Sequence, residues 1–364
     1  MLKRRSLRRP PACRVHGAFT PLWYTNGAHG GAVGASTVTE RIEYDLVCIG
    51  SGPAGQRAAI QAAKLGKRVA VLEKRRLAGG VCVDTGTIPS KTFREAVRRV
   101  YSRPGLEGVE KSYRERVRPT MQQLVGHVAW VIQREVGMVH DVLARNDIRL
   151  LYGRASFEDP HTLVVDAGNG RRRLTAAHIL IAVGTVPSRP RDIEADGQTI
   201  TTSDTVLNLH QLPRTMAVVG AGVIGIEYAS MFAALGVHVT VIDQRPRPLE
   251  FLDHEIVDEL IHQMRKSDVV FRCGDAVEQI EVAGGAERQG LVRLASGKHL
   301  VADVVLFSTG RLGATTDLRL EAAGLEADQR GRLQVDERYR TSVPHICAAG
   351  DVIGFPGNSS GSRT

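Results

Sequence analysis

Cysteine is scarce in this sequence: Cys13, Cys48, Cys82, Cys273 and Cys347 are scattered through 364 residues. Five is an odd number, and none of the spacings pairs two cysteines as a zinc site would. This excludes a disulfide framework and a cysteine metal centre, and points to a reducing cytosol. An uninterrupted apolar run is also missing. The most apolar stretch, Met216 to Ile242, contains four glycines, Glu227 and His238. It reads as strand, turn, helix and strand, not as a bilayer span, so no membrane role is expected. The body of the chain has little surplus charge. The net charge is +9, but the first forty residues hold six basic residues against Glu40 alone, leaving +4 to the other 324. A groove for a nucleic-acid backbone is therefore not expected. Aromatic residues are few, at 5%, whereas the 38 glycines exceed the average share of about 7%. Such a balance suits a soluble α/β protein rich in tight turns, with length for roughly two domains.

The first forty residues contain no acid before Glu40, a Pro10-Pro11 pair and a Gly/Ala-rich run from Gly27 to Ala35. The prolines interrupt any early amphipathic helix, which disfavours a transit peptide, and no apolar core of a secretion signal is present. Residues 1–42 are expected to form a disordered basic extension with no part in the fold.

Order is expected from Glu43. Tyr44 to Ile49 is a short apolar strand that runs into Gly50-Ser51-Gly52-Pro53-Ala54-Gly55, followed by a helix from about Pro53 to Leu65 and a strand from Arg68 to Glu73. Apolar residues at Met121, Leu124, Val125, Val128, Ile132, Val136, Val139 and Leu143 have helix spacing. Shorter strands are expected at Leu150 to Tyr152, Thr162 to Val165 and His178 to Ala182. The strand-turn-helix-strand pattern recurs from Met216, offset by 170 residues. In each copy an acid ends the second strand 23 positions after the first glycine: Glu73 after Gly50, Asp243 after Gly220.

A dinucleotide pyrophosphate must lie against backbone N–H groups at a helix N-terminus, where side chains would hold it away. Gly50 makes the turn, Gly52 allows close approach, and Gly55 lets helix and strand pack. Gly220, Gly222 and Gly225 are expected to do the same in the second copy. Glu73 and Asp243 would each accept a hydrogen bond from an adenosine ribose. One such turn is a weak signal; two with acids at the same spacing predict two dinucleotide sites, read as a flavin and a nicotinamide.

The run Gly79-Gly80-Val81-Cys82-Val83-Asp84-Thr85-Gly86-Thr87-Ile88-Pro89-Ser90-Lys91 resembles the redox loop of the pyridine nucleotide-disulfide oxidoreductases. Ala182-Val183-Gly184-Thr185 and Thr309-Gly310-Arg311 are similar to that family's crossovers between domains, and Gly350-Asp351 to its second FAD motif. The resemblance implies an α/β fold of two Rossmann-like, doubly wound dinucleotide-binding domains. It divides the chain into an FAD-binding domain at 43–190 and 307–356, an NAD(P)-binding domain at 191–306, and a Gly/Ser tail at 357–364. It further implies FAD at Gly50, Gly52, Gly55, Glu73, Cys82, Thr87, Gly184, Gly310, Gly350 and Asp351, and NAD(H) or NADP(H) at Gly220, Gly222, Gly225, Asp243 and Arg245. Lys91 and Glu227 fall where the family has an ion pair beside the flavin; without the resemblance they read as a helix-start lysine and a surface acid.

One departure bears on function. Disulfide reductases of this family carry a second cysteine five positions on, where this chain has Thr87. A hydroxyl forms no disulfide and supplies no thiolate. A Cys-x4-Thr loop followed by Ile-Pro-Ser-Lys is similar to that of soluble, Si-specific transhydrogenases, which implies hydride exchange between NADPH and NAD through FAD. The alternatives are an NAD(P)H:quinone or dye reductase, and a non-catalytic nucleotide-binding fragment. The nicotinamide preference stays open. Asp243 would repel a 2′-phosphate by up to roughly 4 kcal/mol at about 4 Å and an effective dielectric near 20, and Arg245 and Arg247 can offset that. Members of the family continue past the second FAD motif into an interface domain that builds a homodimer. The chain is therefore expected to be C-terminally truncated, without its dimerisation domain.

Overall fold

A computed structural model describes residues 42–101, 119–168, 170–188, 195–284 and 288–354. The basic extension up to residue 41 and the Gly/Ser tail lie outside them. The chain runs through strand β1 (Ile42–Ile49), helix α1 (Pro53–Lys64), strand β2 (Val69–Glu73), and helices α2 (Gly80–Asp84), α3 (Thr87–Tyr101) and α4 (Met121–Arg145). Strands β3 (Arg149–Tyr152), β4 (Arg154–Asp159), β5 (Thr162–Asp166) and β6 (Arg171–Ile181) follow. After β7 (Thr185–Pro187) come β8 (Ile200–Thr202), β9 (Thr215–Val219), α5 (Val223–Ala234), β10 (His238–Asp243), α6 (His254–Lys266) and β11 (Val270–Cys273). The last strands are β12 (Val277–Ala283), β13 (Gln289–Leu294), β14 (His299–Ala302), β15 (Val304–Phe307), β16 (Arg311–Gly313) and β17 (Ile346–Ala348).

Two sheets carry the architecture. The first has the order β3-β2-β1-β6-β5-β4, with β17 pairing the end of β6 beyond β5, and the second the order β11-β10-β9-β15-β8. The pairs among β3, β2, β1, β6 and β17 are parallel, and so are all those of the second sheet. β2 and β9 read as near-continuous apolar runs because such strands are covered on both faces. An antiparallel pair, β16 with β7, joins the two crossover segments between the sheets.

Local chemistry explains the elements. Pro53 begins α1 with its φ already set for a helix and no N–H to leave unpaired. A reciprocal capping box starts α4, with the Gln123 N–H donating to Thr120 Oγ1 at 3.2 Å and the Thr120 N–H to Gln123 Oε1 at 3.0 Å. The side chains α4 buries include Met121, Leu124, Val128, Val136, Val139 and Leu143, the stripe that its spacing predicts.

The helices also tie the two sheets together. One apolar core takes Phe93 and Val97 from α3, Met121, Leu124 and Val128 from α4, and Ile226, Ala229 and Phe232 from α5. Phe93 and Phe232, both fully buried, pack with ring centroids 5.8 Å apart. A Phe232→Ala change removes the larger part of that contact and is expected to cost about 3–5 kcal/mol. Phe232→Leu, closer in volume, should cost about 1.5 kcal/mol. Denaturant unfolding monitored on both variants checks this, and equal losses would contradict it.

Candidate functional site

The two glycine turns have the same construction. β1 delivers Gly50 at φ +111° and β9 delivers Gly220 at φ +105°, a region open to glycine. The Gly50 N–H donates to the Leu72 carbonyl at 2.8 Å, and the Gly220 N–H to the Ile242 carbonyl at 2.8 Å. A Cβ on Gly50 would lie 2.3 Å from the Ala182 carbonyl oxygen, and one on Gly220 2.6 Å from that of Ser308. The third glycine of each motif packs helix on strand: a Cβ on Gly55 or Gly225 would fall 2.0 or 1.9 Å from the carbonyl oxygen of Gly50 or Gly220. The middle ones differ. Gly52 and Gly222 have nothing within 4 Å of a Cβ position. Each is the N-cap of its helix, α1 or α5, with no side-chain cap and no acid in the first turn. Both helix N-termini are thus open to an anion, as a pyrophosphate requires.

The acid that ends the second strand of each copy holds its turn in place. Glu73 Oε2 accepts from the Ser51 N–H at 3.1 Å and from the Ser51 hydroxyl. Glu73 Oε1 accepts from the Arg75 N–H at 2.8 Å. Asp243 Oδ2 accepts from the Ala221 N–H at 2.6 Å, the corresponding position in the second copy. Both carboxylates are buried. Asp243 also receives Arg245, whose backbone N–H and Nε each donate to Oδ1 at 2.9 Å and whose Nη2 donates to Oδ2 at 2.6 Å. Burial pushes the Asp243 carboxyl up, but the bonds and charge of Arg245 together with the Ala221 N–H outweigh it and hold the group below the usual carboxylate range. Arg247 is turned elsewhere, onto Asp258 at 2.7 Å.

A cavity of about 550 Å³ lies against the first turn, lined by residues of the first sheet, of helix α5 and of the loop after β8. Gly50, Gly52 and Glu73 line it, with Cys82 from α2 and Thr87 and Lys91 from α3. Gly184, Gly350 and Asp351 contribute from the ends of the crossover and of β17. Glu227 reaches the cavity from α5 and pairs with Lys91, so two residues 136 apart in sequence meet in the wall. Two residues predicted for the first dinucleotide lie outside the wall. Gly55 is buried in the packing of α1, and Gly310 belongs to the crossover, where its carbonyl accepts from the Ser188 N–H at 3.0 Å.

Sequence reasoning missed a chain of charges of which Arg75, Asp204 and Arg311 line the same cavity. Arg75 pairs with Asp84 at 2.7 Å and Asp204 at 3.1 Å, and Arg311 pairs with Asp204 at 2.9 Å. Arg311 also donates to Thr185 Oγ1 at 2.8 Å and to the Thr185 carbonyl at 3.0 Å. Asp204 thus joins the loop after β8 to α2 and to both crossovers. Arg311 was visible within its glycine-arginine motif; nothing local marks Asp204. Tyr228 was missed as well. It lines the cavity beside Glu227, is 2% exposed, and its hydroxyl has no hydrogen-bond partner. Burial, with the negative charges of Glu227 and Asp204, raises its pKa and keeps it a neutral phenol.

Comparison with known proteins gives a consistent match. The family model described as pyridine nucleotide-disulphide oxidoreductase matches residues 44–363. The soluble pyridine nucleotide transhydrogenase of Mycobacterium tuberculosis (strain ATCC 25177 / H37Ra) is 49% identical over 316 residues, which cover 86% of this chain and 67% of that protein. The protein of the same name from Chromohalobacter salexigens is 46% identical over 321 residues, covering 87% and 68%. The chain therefore spans about two thirds of the length of these relatives. Among solved structures, the HOCl-induced flavoprotein disulfide reductase RclA from Escherichia coli superposes with a TM-score of 0.75 at 29% identity, over 86% of this chain and 67% of that one.

The glycine geometry separates folding from binding. Gly52→Ala places a methyl group in open space and should keep the wild-type unfolding midpoint. Gly55→Ala drives a methyl group into the Gly50 carbonyl and should lose roughly 3 kcal/mol. Thermal unfolding of the two variants side by side checks this; equal midpoints would contradict it.

Proposed function

The chain belongs to the pyridine nucleotide-disulphide oxidoreductase family, and from that premise we propose that it exchanges hydride between NADPH and NAD through a bound FAD, with no sulfur couple in the circuit. The observation that carries this reading is the pair of side chains in the cavity wall: Cys82 and, where a disulfide enzyme needs its second sulfur, Thr87. Cys48, Cys82, Cys273 and Cys347 are all free thiols. Of these only Cys82 lines the cavity. Cys48 is sealed within β1, where burial pushes its thiol up to about 12 and leaves it inert at neutral pH.

The cavity suits a flavin dinucleotide. Gly52 leaves room for a pyrophosphate at the uncapped start of α1. Three donors occupy Glu73, of the roughly four a carboxylate accepts, so its Oε1 keeps a position for a ribose hydroxyl. Bound FAD supplies the ring that accepts a hydride from one nicotinamide and returns it to another. Lys91 supplies a fixed positive charge where negative charge accumulates, and Glu227 holds that ammonium in place. Tyr228 presents a neutral aromatic wall. The second turn, Gly220, Gly222 and Gly225 with Asp243 and Arg245, takes the nicotinamide dinucleotide. The shared name of the transhydrogenase relatives supports the same assignment. Among the described residues no helix is long and apolar enough to cross a membrane, and the free cysteines support a cytoplasmic location.

Anaerobic half-reactions test the proposal. NADPH should bleach the flavin absorbance and NAD should then restore it, and Cys82→Ser should perform both steps within about threefold of wild-type rates, since a hydroxyl replaces a sulfur that takes no part. Failure of NAD to reoxidise the flavin, or loss of either step in Cys82→Ser with FAD still bound, would overturn it. Reoxidation by a quinone but not by NAD would instead identify a quinone reductase.

A further inference from the structure

Helix α2 is five residues long, its N-cap Gly79 has no side chain to cap it, and Val83 is the side chain it buries. So short a helix does not hold its place alone. It is tethered at each end, and both tethers lead back to the end of β2. At its start the Gly79 N–H donates to Ser51 Oγ at 2.9 Å, and the Ser51 hydroxyl in turn donates to Glu73. At its end Asp84 accepts from Arg75 Nη1 at 2.7 Å, while the Arg75 backbone N–H donates to Glu73 Oε1 at 2.8 Å. The first tether is closed among residues of the first turn and strand. The second is not, because Arg75 Nη2 also donates to Asp204, on the loop after β8, at 3.1 Å.

We propose that Asp204 is a positioning residue for the flavin wall: by fixing the Arg75 guanidinium it sets where α2 ends, and with it the approach of Cys82 and Thr87 to the cavity. The inference rests on reading that cavity as the flavin site.

Charge and anchoring decide which way the influence runs. Asp204 Oδ1 accepts from Arg311 Nη1 at 2.9 Å, and its Oδ2 accepts from Arg75. One carboxylate, 15% exposed, thus matches two guanidiniums brought to its two oxygens. Without that charge the two cations would repel each other where water screens them little. Arg311 has a separate hold on the crossover, through Nε to Thr185 Oγ1 at 2.8 Å and Nη2 to the Thr185 carbonyl at 3.0 Å. The Arg75 guanidinium has, among the described residues, only Asp84 besides Asp204. Arg75 is therefore the cation that yields. Asp84 follows it, and α2 carries the shift to the wall that Cys82 and Thr87 line.

A double-mutant cycle tests this. It is read by the FAD dissociation constant and by the visible circular dichroism of the flavin-loaded protein, which reports the surroundings of the ring and not the stability of the fold. Asp204→Asn should weaken FAD binding about tenfold and change the visible bands. Arg75→Gln should do at least as much, and adding Asp204→Asn to it should change nothing further, since the effect passes through one guanidinium. Asp204→Glu, which keeps the charge, should recover part of the loss, and Arg311→Gln should have a smaller effect than Arg75→Gln. Wild-type affinity and dichroism in Asp204→Asn, additive losses in the double variant, or a larger effect from Arg311→Gln than from Arg75→Gln would overturn the proposal. Wild-type protein that takes up no FAD would overturn it by removing the flavin reading of the cavity, a separate failure seen before any variant is made.

Discussion

The structure depends on a hydrogen bond made twice: a buried carboxylate at the end of a parallel strand grips the backbone N–H that follows the first glycine of the neighbouring turn. Glu73 does this to Ser51 and Asp243 to Ala221. The bond crosses from one strand end to the next and fixes where the helix begins. It thereby aims an uncapped helix N-terminus at open space, past a glycine with no side chain in the way. A buried carboxylate without such partners would be costly. Here the donors offset that cost and hold the turn, so these acids support the fold itself.

Two rigid turns bring ligands together only if their sheets are held in register. Two devices do this from opposite sides. The shared core around Phe93 and Phe232 binds α3 and α4 to α5 through apolar packing. The chain Asp84, Arg75, Asp204, Arg311 binds the loop after β8 to α2 and to both crossovers through charge. Its two cations and two anions balance, and each member is partly shielded from water, so the pairs are screened less than surface pairs would be. Lys91 and Glu227 also meet between α3 and α5, which places a charge pair in the wall of the cavity.

Much of this was legible in the sequence, for physical reasons. Strand β1, helix α1 and strand β2 follow from an apolar run, a glycine turn with Pro53 and a second apolar run. Helix α4 was marked by its spacing, although its capping box at Thr120 and Gln123 was not read in advance. The repeat at 170 residues was visible because each glycine has a separate steric task, and the structure shows those tasks at the same positions in both copies. The charge chain was not legible, because its contacts join residues 129 and 107 apart and no local pattern distinguishes Asp204 from a solvated acid. The orientation of Arg245 was hidden for a different reason. It lies two positions after Asp243, yet spacing does not say whether a guanidinium turns back on its neighbour, as here, or away, as Arg75 does. The cavity role of Tyr228 had no sequence signal at all, since an aromatic in a helix reads as core, which it also is.

The account comes down to where electrons reside. Among the described residues the wall has one thiol, with a threonine where a second would stand, and this supports the proposal that the flavin alone stores the two electrons. Anaerobic reductive titration of the flavin-loaded protein measures this directly, with flavin absorbance and free thiols followed together. The account predicts that two electrons per flavin complete the reduction and that the thiol count does not change. Uptake of four electrons, with two new thiols, would contradict it.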